Sequence, residues 1–247
     1  WHQTPEGALL FASEVRALLA SGKVRRALNR EAVADQWMYG TVHAPATIVS
    51  GIQLLEPGSL LVAQDEDIKM AQWWDPADEA LGEPLLDDRA RRTRIRELLS
   101  DSVALRMRSD VAYGAFLSGG IDSSAVVGLM SEVATQPVST FSVTFAEAAL
   151  DESPWSRAVA KRFGTDHHEI RLTPEDFLAQ VPHGLDAMDH PSADGLNTYV
   201  VSGATRREGV KVALSGLGGD ELFAGYPVFE RSARLAQFNW LGSWPRG

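Results

Sequence analysis

Cysteine is absent: none of the 247 residues is one. That excludes structural disulfides, thiolate zinc sites and a cysteine nucleophile within these residues. It also fits a reducing compartment, and a cytoplasmic location is expected. Basic residues are scarce beside acidic ones, 23 Lys and Arg against 33 Asp and Glu, for a formal net charge of -10. A nucleic-acid binder ordinarily carries a basic face, so no nucleic-acid partner is expected. The arginines of "RARRTRIR" (89–96) read as one solvated helix face for the same reason. No apolar run approaches the ~20 residues of a membrane span, and no signal peptide is visible, so no membrane partner is expected. Two phosphate-binding signatures are missing as well. There is no G-x-x-x-x-G-K-[ST], and no G-x-G-x-x-G at the first parallel strand end.

What remains is an ordinary globular composition, 45% hydrophobic and 23% charged, enough for one large or two smaller domains. The chain opens on Trp1, and "WHQTPEGALLFASE" begins as if inside a domain. A piece of a longer protein is therefore expected.

Residues 1–75 have mixed character. "ALLFASEV" reads as a strand running into a helix with Ser13 near its N-cap. "NREAVADQWMYG" reads as a helix capped by Asn29, with Glu31 in its first turn and Gly40 closing it. "GIQLLEPGSLLVA" reads as two strands about a turn at Pro57 and Gly58, and "DEDIKMAQWWD" as a further strand. The acidic, Pro- and Gly-containing stretch 76–88 is the expected linker. An amphipathic helix follows, with Ile95, Leu98, Leu99, Val103 and Met107 at helical spacing.

From Val111 strands and helices alternate. "AYGAFLSGG", "STFSVTF", "DHHEIRL" and "VKVALSG" read as strands. "DSSAVVGLMSEVA", "SPWSRAVAKRFG", "TPEDFLAQVPHGLDAMD" (capped by Thr173) and "NTYVVSGATRREG" read as helices. Such alternation predicts an α/β fold, a parallel sheet with flanking helices and right-handed crossovers.

Ligands of such sheets bind beyond the carboxyl ends of the strands. Two strand ends carry glycine-rich turns: Ser118-Gly119-Gly120-Ile121-Asp122-Ser123-Ser124, and Ser215-Gly216-Leu217-Gly218-Gly219-Asp220-Glu221. Glycines let main-chain N–H groups approach an anion, and the helix opening at Asp122 adds its positive end. The serines add neutral donors. A phosphate cradle follows, but a carboxylate repels phosphate unless a cation lies between them. Mg²⁺ takes one or two carboxylates plus phosphate oxygens, so Asp122 and Asp220 read as its ligands on adjacent strand ends. For either Asp alone a helix N-cap is the competing reading. Two of them, each beside a Gly-Gly turn, favour the metal.

The S-G-G-x-D-S-S stretch resembles the pyrophosphate loop of ATP pyrophosphatases, the PP-loop superfamily. Together with "RMRSDVAYGAFLSGGIDSS", "TFSVTF", "DESPWSRAVAKRFGTDHHEI" and "LSGLGGDELFAGY", it resembles the glutamine-hydrolysing asparagine synthetase family. "LLFASEVRALL" and "GIQLLEPGSLLV" resemble the end of that family's glutaminase domain. The resemblance implies an adenine nucleotide alpha-hydrolase-like fold for 89–247, truncated at its C-terminus. It implies that 1–75 is the remnant of an α+β Ntn-type glutamine amidotransferase domain.

The resemblance further implies ATP and Mg²⁺ as cofactors. Ser118, Gly119, Gly120, Asp122, Ser123 and Ser124 would hold pyrophosphate, with Gly218 and Gly219 in the second turn. Asp122 and Asp220 would hold the metal. Leu117 and Val143 would read adenine through the main chain, with Ser215 and Gly216 near the nucleotide. The family adenylates a carboxylate, usually that of aspartate, and ammonia then displaces AMP. The implied partners are small molecules: ATP, aspartate or another carboxylate, and ammonia or glutamine in the parent protein. A homodimer is a candidate assembly.

Three departures qualify this. The glutaminase nucleophile is a cysteine, and there is none. A late catalytic lysine is not among these residues. Leu217 stands where the family typically has an acidic residue associated with amination, leaving Glu221 as a candidate for acid–base work. The alternatives are therefore an amidotransferase or β-lactam-synthetase-like ligase acting on another carboxylate, or a non-catalytic nucleotide-binding piece. Asp189, Asp194 and Asn197 in "DHPSADGLNTY" are candidates for substrate contact, with Asx caps in a turn as the competing reading. His167 and His168 show no metal-like spacing and are expected to serve packing or surface roles.

Overall fold

The computed structural model describes residues 1–64, 67–80, 86–144, 152–192 and 194–237. It groups into two compact units, Trp1–Leu86 with Phe177–Val201, and Asp87–Asp176 with Ser202–Gly247.

In the first unit a two-residue pair, β1 (His2–Gln3) and β2 (Leu9–Leu10), precedes α1 (Val15–Ala20) and α2 (Arg30–Tyr39). The antiparallel hairpin β3 (Ser59–Gln64) and β4 (Asp67–Gln72) follows, then the short α3 (Pro76–Ala80). Helix α2 forms as its sequence dictates: the Asn29 side chain accepts from Glu31 and Ala32 N–H, and Gly40 ends it at φ 73°. Around Pro57 and Gly58 only the second expected strand forms. Residues 51–56 make an isolated bridge, Ala46 to Gln53, where a strand was expected. The unit's core is Val15, Leu18, Val24, Val49 and Ile52. Residues 81–85 of the expected linker lie outside the described residues, whereas Pro76–Ala80 is helical.

The second unit begins with α4 (Asp88–Arg106), capped by the Asp87 side chain on Ala90 N–H. Then come β5 (Tyr113–Phe116), α5 (Ile121–Val133), β6 (Ser139–Thr144), α6 (Ser153–Phe163) and β7 (Asp166–Arg171). Helices α7 (Pro174–Ala187) and α8 (Gly195–Arg207) belong partly to the first unit by the division above, and β8 (Val212–Leu214), α9 (Gly219–Phe223) and α10 (Pro227–Ala236) close the chain. Neither α9 nor α10 was expected from the pattern. Thr173 and Asp176 cap α7 reciprocally: Asp176 N–H donates to Thr173 Oγ1 at 3.1 Å, and Thr173 N–H to Asp176 Oδ2 at 3.2 Å.

All four strands of the second unit are parallel, in the order β7-β6-β5-β8. This is the α/β sheet the alternation predicts. The order reverses beside β5: the chain steps outward through β6 and β7, then returns to lay β8 on the other side of β5. Ligand crevices of open sheets form at such a switch. Ala115, Leu117, Val127, Met130 and Ala160 lie in the core that packs α5 and α6 on β5. Gly128 makes room for the Phe163 ring, since a Cβ there would fall 2.9 Å from its Cζ. Burial of these side chains fixes the strand ends and the helix starts around the two glycine turns. Among the described residues, no helix is long and apolar enough to cross a membrane.

Candidate functional site

The first turn leaves a strand whose end is pinned. Leu117 N–H donates to Phe141 O at 2.8 Å, and the Ser142 hydroxyl donates to Leu117 O. Leu117 is buried. Val143 lies further along β6, paired with Ile170 of β7.

The chain then turns sharply at Gly119, whose φ is 86°. A Cβ there would stand 2.6 Å from Trp155 Cβ and 2.7 Å from Ser156 N. Conformation and space both demand glycine, and the turn rests on the first turn of α6. Ser118 Oγ accepts from Gly120 N–H at 3.2 Å and lies 2.9 Å from Ser123 Oγ, which donates to Gly120 O at 3.2 Å. The serines thus brace the turn from within.

Helix α5 starts from Gly120, which offers no side-chain cap. Its first main-chain N–H groups therefore converge on the turn without a side-chain acceptor. Ser124 Oγ is buried and has no hydrogen-bond partner among the described residues, a donor free for a ligand.

The second turn comes from β8, the neighbour of β5, and closes on the first. Ser215 Oγ accepts from Leu217 N–H at 3.0 Å, and Gly219 N–H donates to Gly216 O at 3.1 Å. A Cβ on Gly216 would meet Ser123 N at 2.7 Å and Asp122 Cβ at 2.9 Å. One on Gly219 would fall 2.5 Å from Asp122 Oδ2. Gly216 and Gly219 of the second turn thus lie against Asp122 and Ser123 of the first.

Asp122 and Asp220 occupy the same position, second residue of a helix capped by a glycine, Gly120 and Gly218 respectively. Neither is an N-cap. The Asp220 carboxylate lies against Gly225, whose N–H donates to the Asp220 carbonyl at 2.9 Å.

Tyr226 completes the cluster, its hydroxyl donating to Glu221 Oε1 at 3.0 Å. That bond, with the charges of Glu221, Asp220 and Asp122 behind it, raises the phenol above its ordinary range. Leu217 is 85% exposed at the tip of the turn.

Among the described residues there is no cluster of three or more His, Cys, Asp or Glu suited to a metal. A pair of carboxylates beside an anion cradle matches the donor set of Mg²⁺, which draws its remaining ligands from phosphate and water.

The chain belongs to the asparagine synthase family. The model of that family, Asparagine synthase, matches residues 94–246, and the glutamine amidotransferase domain model matches residues 1–74. A Methanocaldococcus jannaschii protein named putative asparagine synthetase [glutamine-hydrolyzing] 2 is 36% identical over 92% of this chain and 44% of its own length. Asparagine synthetase [glutamine-hydrolyzing] 1 of Bacillus subtilis is 30% identical over 98% of this chain and 38% of its own. Amidase chyE of Penicillium rubens is 27% identical over 99% of this chain and 38% of its own. The chain thus spans less than half the length of these relatives.

The candidate substrate residues have other partners. Asp189 accepts from Val15 and Arg16 N–H at 2.6 and 2.8 Å, at the start of α1 in the first unit. Asp194 accepts from Thr198 Oγ1 at 3.0 Å and Asn197 Nδ2 at 3.3 Å, opening α8. In this structure Asp189 caps α1, and Asp194 pairs with Asn197 and Thr198 at the start of α8.

His167 packs: its Nδ1 lies 2.9 Å from Thr140 Oγ1, and burial lowers its pKa. His168 stacks on Phe141 at 5.0 Å. The contribution of α6 through Trp155 and Ser156, and the Tyr226–Glu221 bond, carry no local signal. Tyr226 stands in the family-like stretch "LSGLGGDELFAGY", yet only the fold shows that it turns back onto Glu221.

Proposed function

We propose that residues 89–247 belong to the adenylating half of an ATP-dependent, Mg²⁺-requiring ligase of the asparagine synthetase type. The observation that carries this is the closure of the Gly216–Gly219 turn over Asp122, which sets two acidic helix starts beside one anion cradle.

The N–H groups opening α5, with Ser118, Ser123 and Ser124, bind the pyrophosphate of ATP. Leu117 and Val143 present main-chain groups to adenine, with Ser215 and Gly216 beside the nucleotide. Asp122 and Asp220 would hold Mg²⁺, which when bound would supply positive charge to offset that of the pyrophosphate. An oxygen of the acceptor carboxylate attacks the α-phosphorus, and its bond to the bridging oxygen of pyrophosphate breaks. Ammonia then attacks the acyl carbon of the mixed anhydride, AMP leaves, and the surplus ammonium proton passes to a base. Glu221, oriented by Tyr226, is the candidate for that base. Fixed main-chain dipoles do most of the electrostatic work because they need no reorganisation as charge develops.

Aspartate is the first candidate acceptor. The exposed Leu217 cannot hold an ammonium or take a proton, which favours a second reading, a different carboxylate acceptor. Calorimetry with Mg-ATP tests the nucleotide site. Pyrophosphate release with aspartate and with a panel of other carboxylates separates the readings. Strict dependence on aspartate rejects the second, and no Mg-ATP binding rejects both.

A further inference from the structure

A cavity of about 500 Å³ opens between the C-terminal half of α8 and the sheet, and all of its lining residues belong to the second unit. Phe116 of β5 and Ala213 of β8 form its floor. Ala213 pairs with Gly114 in the parallel register of these strands. It therefore shares a face of the sheet with Gly114 and, two residues on, with Phe116. Ala115 and Leu117 alternate with these and lie in the core with α5 and α6. The cavity is thus on the opposite face of the sheet from α5, separate from the cradle at the glycine turns.

Its walls are of two kinds. Phe116, Val210 and Ala213 are apolar, whereas Arg206, Lys211 and Ser202 bring two cations and a hydroxyl. Both cations are exposed. Among the described residues neither has a carboxylate partner. In a chain of net charge -10, they concentrate the rarer sign at one cavity. Arg206 has a local reason to be there, since it stands in the last turn of α8, where the helix end favours a cation. Lys211 lies beyond the helix and has no such reason.

This lining suits one kind of ligand. The apolar floor takes a hydrocarbon body, and the cations and hydroxyl take an anionic head. Phosphate sites draw on main-chain N–H groups converging at a helix N-terminus. Here the wall is a helix C-terminus, whose partial charge is negative, so a singly charged carboxylate fits better. Phe116 and Ala213 each stand two residues before the serine that opens a glycine turn, Ser118 and Ser215 respectively. A body packed on both bears on the ends of β5 and β8 together.

We propose that this cavity binds a small organic carboxylate with an apolar body, and that its occupancy alters Mg-ATP affinity through the ends of β5 and β8. The binding site rests on the cavity alone. The coupling rests also on the nucleotide reading above.

The probe is phenylacetate, titrated by calorimetry into the full-length protein. Acetate lacks the apolar body and 2-phenylethanol lacks the charge, and each binds about tenfold or more weakly than phenylacetate. Arg206→Gln and Lys211→Gln, both surface changes, each weaken phenylacetate by about tenfold, while Lys211→Arg retains it. Saturating phenylacetate changes Mg-ATP affinity by about fivefold, and Mg-ATP changes phenylacetate affinity by the same factor. No phenylacetate binding, or binding that both Gln variants keep, overturns the site. Equal affinity for acetate or 2-phenylethanol overturns the ligand class. Binding with no change in Mg-ATP affinity overturns the coupling. Failure of the nucleotide reading shows separately, as no Mg-ATP binding in the absence of phenylacetate; it removes the coupling, while the variant titrations still decide the site.

Discussion

Gly219 lies directly over the carboxylate of Asp122, so close that a Cβ would fall 2.5 Å from Oδ2. The two residues belong to turns from adjacent parallel strands, β5 and β8. Neither turn alone makes a metal site. Their contact brings the second acidic helix start beside the first, the arrangement the proposed Mg²⁺ site requires.

Gly219→Ala tests that contact. The added methyl cannot share space with the Asp122 carboxylate, so the side chain or the turn must move. We expect Mg-ATP affinity to fall by tenfold or more, about 1.4 kcal/mol, with the circular dichroism spectrum unchanged. Calorimetry at near-native affinity would show that the approach is incidental.

Asp122→Asn and Asp220→Asn keep the shape of each side chain and remove its charge. Each is expected to abolish the dependence of nucleotide affinity on Mg²⁺ while leaving weaker, metal-independent binding to the main-chain cradle. Titrating ATP with and without Mg²⁺ reads this directly. If either variant keeps the full metal effect, that aspartate is not a ligand.

The alternation of strands and helices, and the carboxyl-end rule, were enough to place both glycine turns at one end of a parallel sheet. Asn29, Gly40 and Thr173 were legible as caps because capping is local chemistry. Three things were not legible, each for a physical reason. The strand expected at 51–56 needed a partner, and sequence does not say whether one arrives. Asp189 reads as a turn or ligand residue because its hydrogen-bond donors sit at positions 15 and 16. The shared position of Asp122 and Asp220, second in a glycine-capped helix, depends on where each helix begins, the least readable feature of a pattern.

His167 sets a pH dependence of stability. Burial lowers its pKa from the ordinary 6.5, Glu169 opposing at 3.8 Å. Above pH 6.5 both folded and unfolded chains hold the imidazole neutral. As pH falls below that, the unfolded chain takes a proton that the folded one refuses, so stability declines until the folded pKa is reached. Urea unfolding between pH 7 and pH 5 should show this slope, and His167→Gln should flatten it. An equal slope in both proteins removes His167 as its source.

Tyr226 offers a reading of metal binding that needs no turnover. Its phenol is raised by the hydrogen bond to Glu221 and by the charges of Glu221, Asp220 and Asp122. A divalent ion held by the two aspartates cancels part of that negative field, and the hydroxyl then ionises at lower pH. Ultraviolet titration with and without millimolar Mg²⁺, corrected with Tyr226→Phe, should show a downward shift for this one tyrosine. Asp122→Asn should lower the phenol pKa without metal and remove the response to Mg²⁺. An unmoved Tyr226 titration in the presence of saturating Mg-ATP would mean that the ion sits away from these carboxylates.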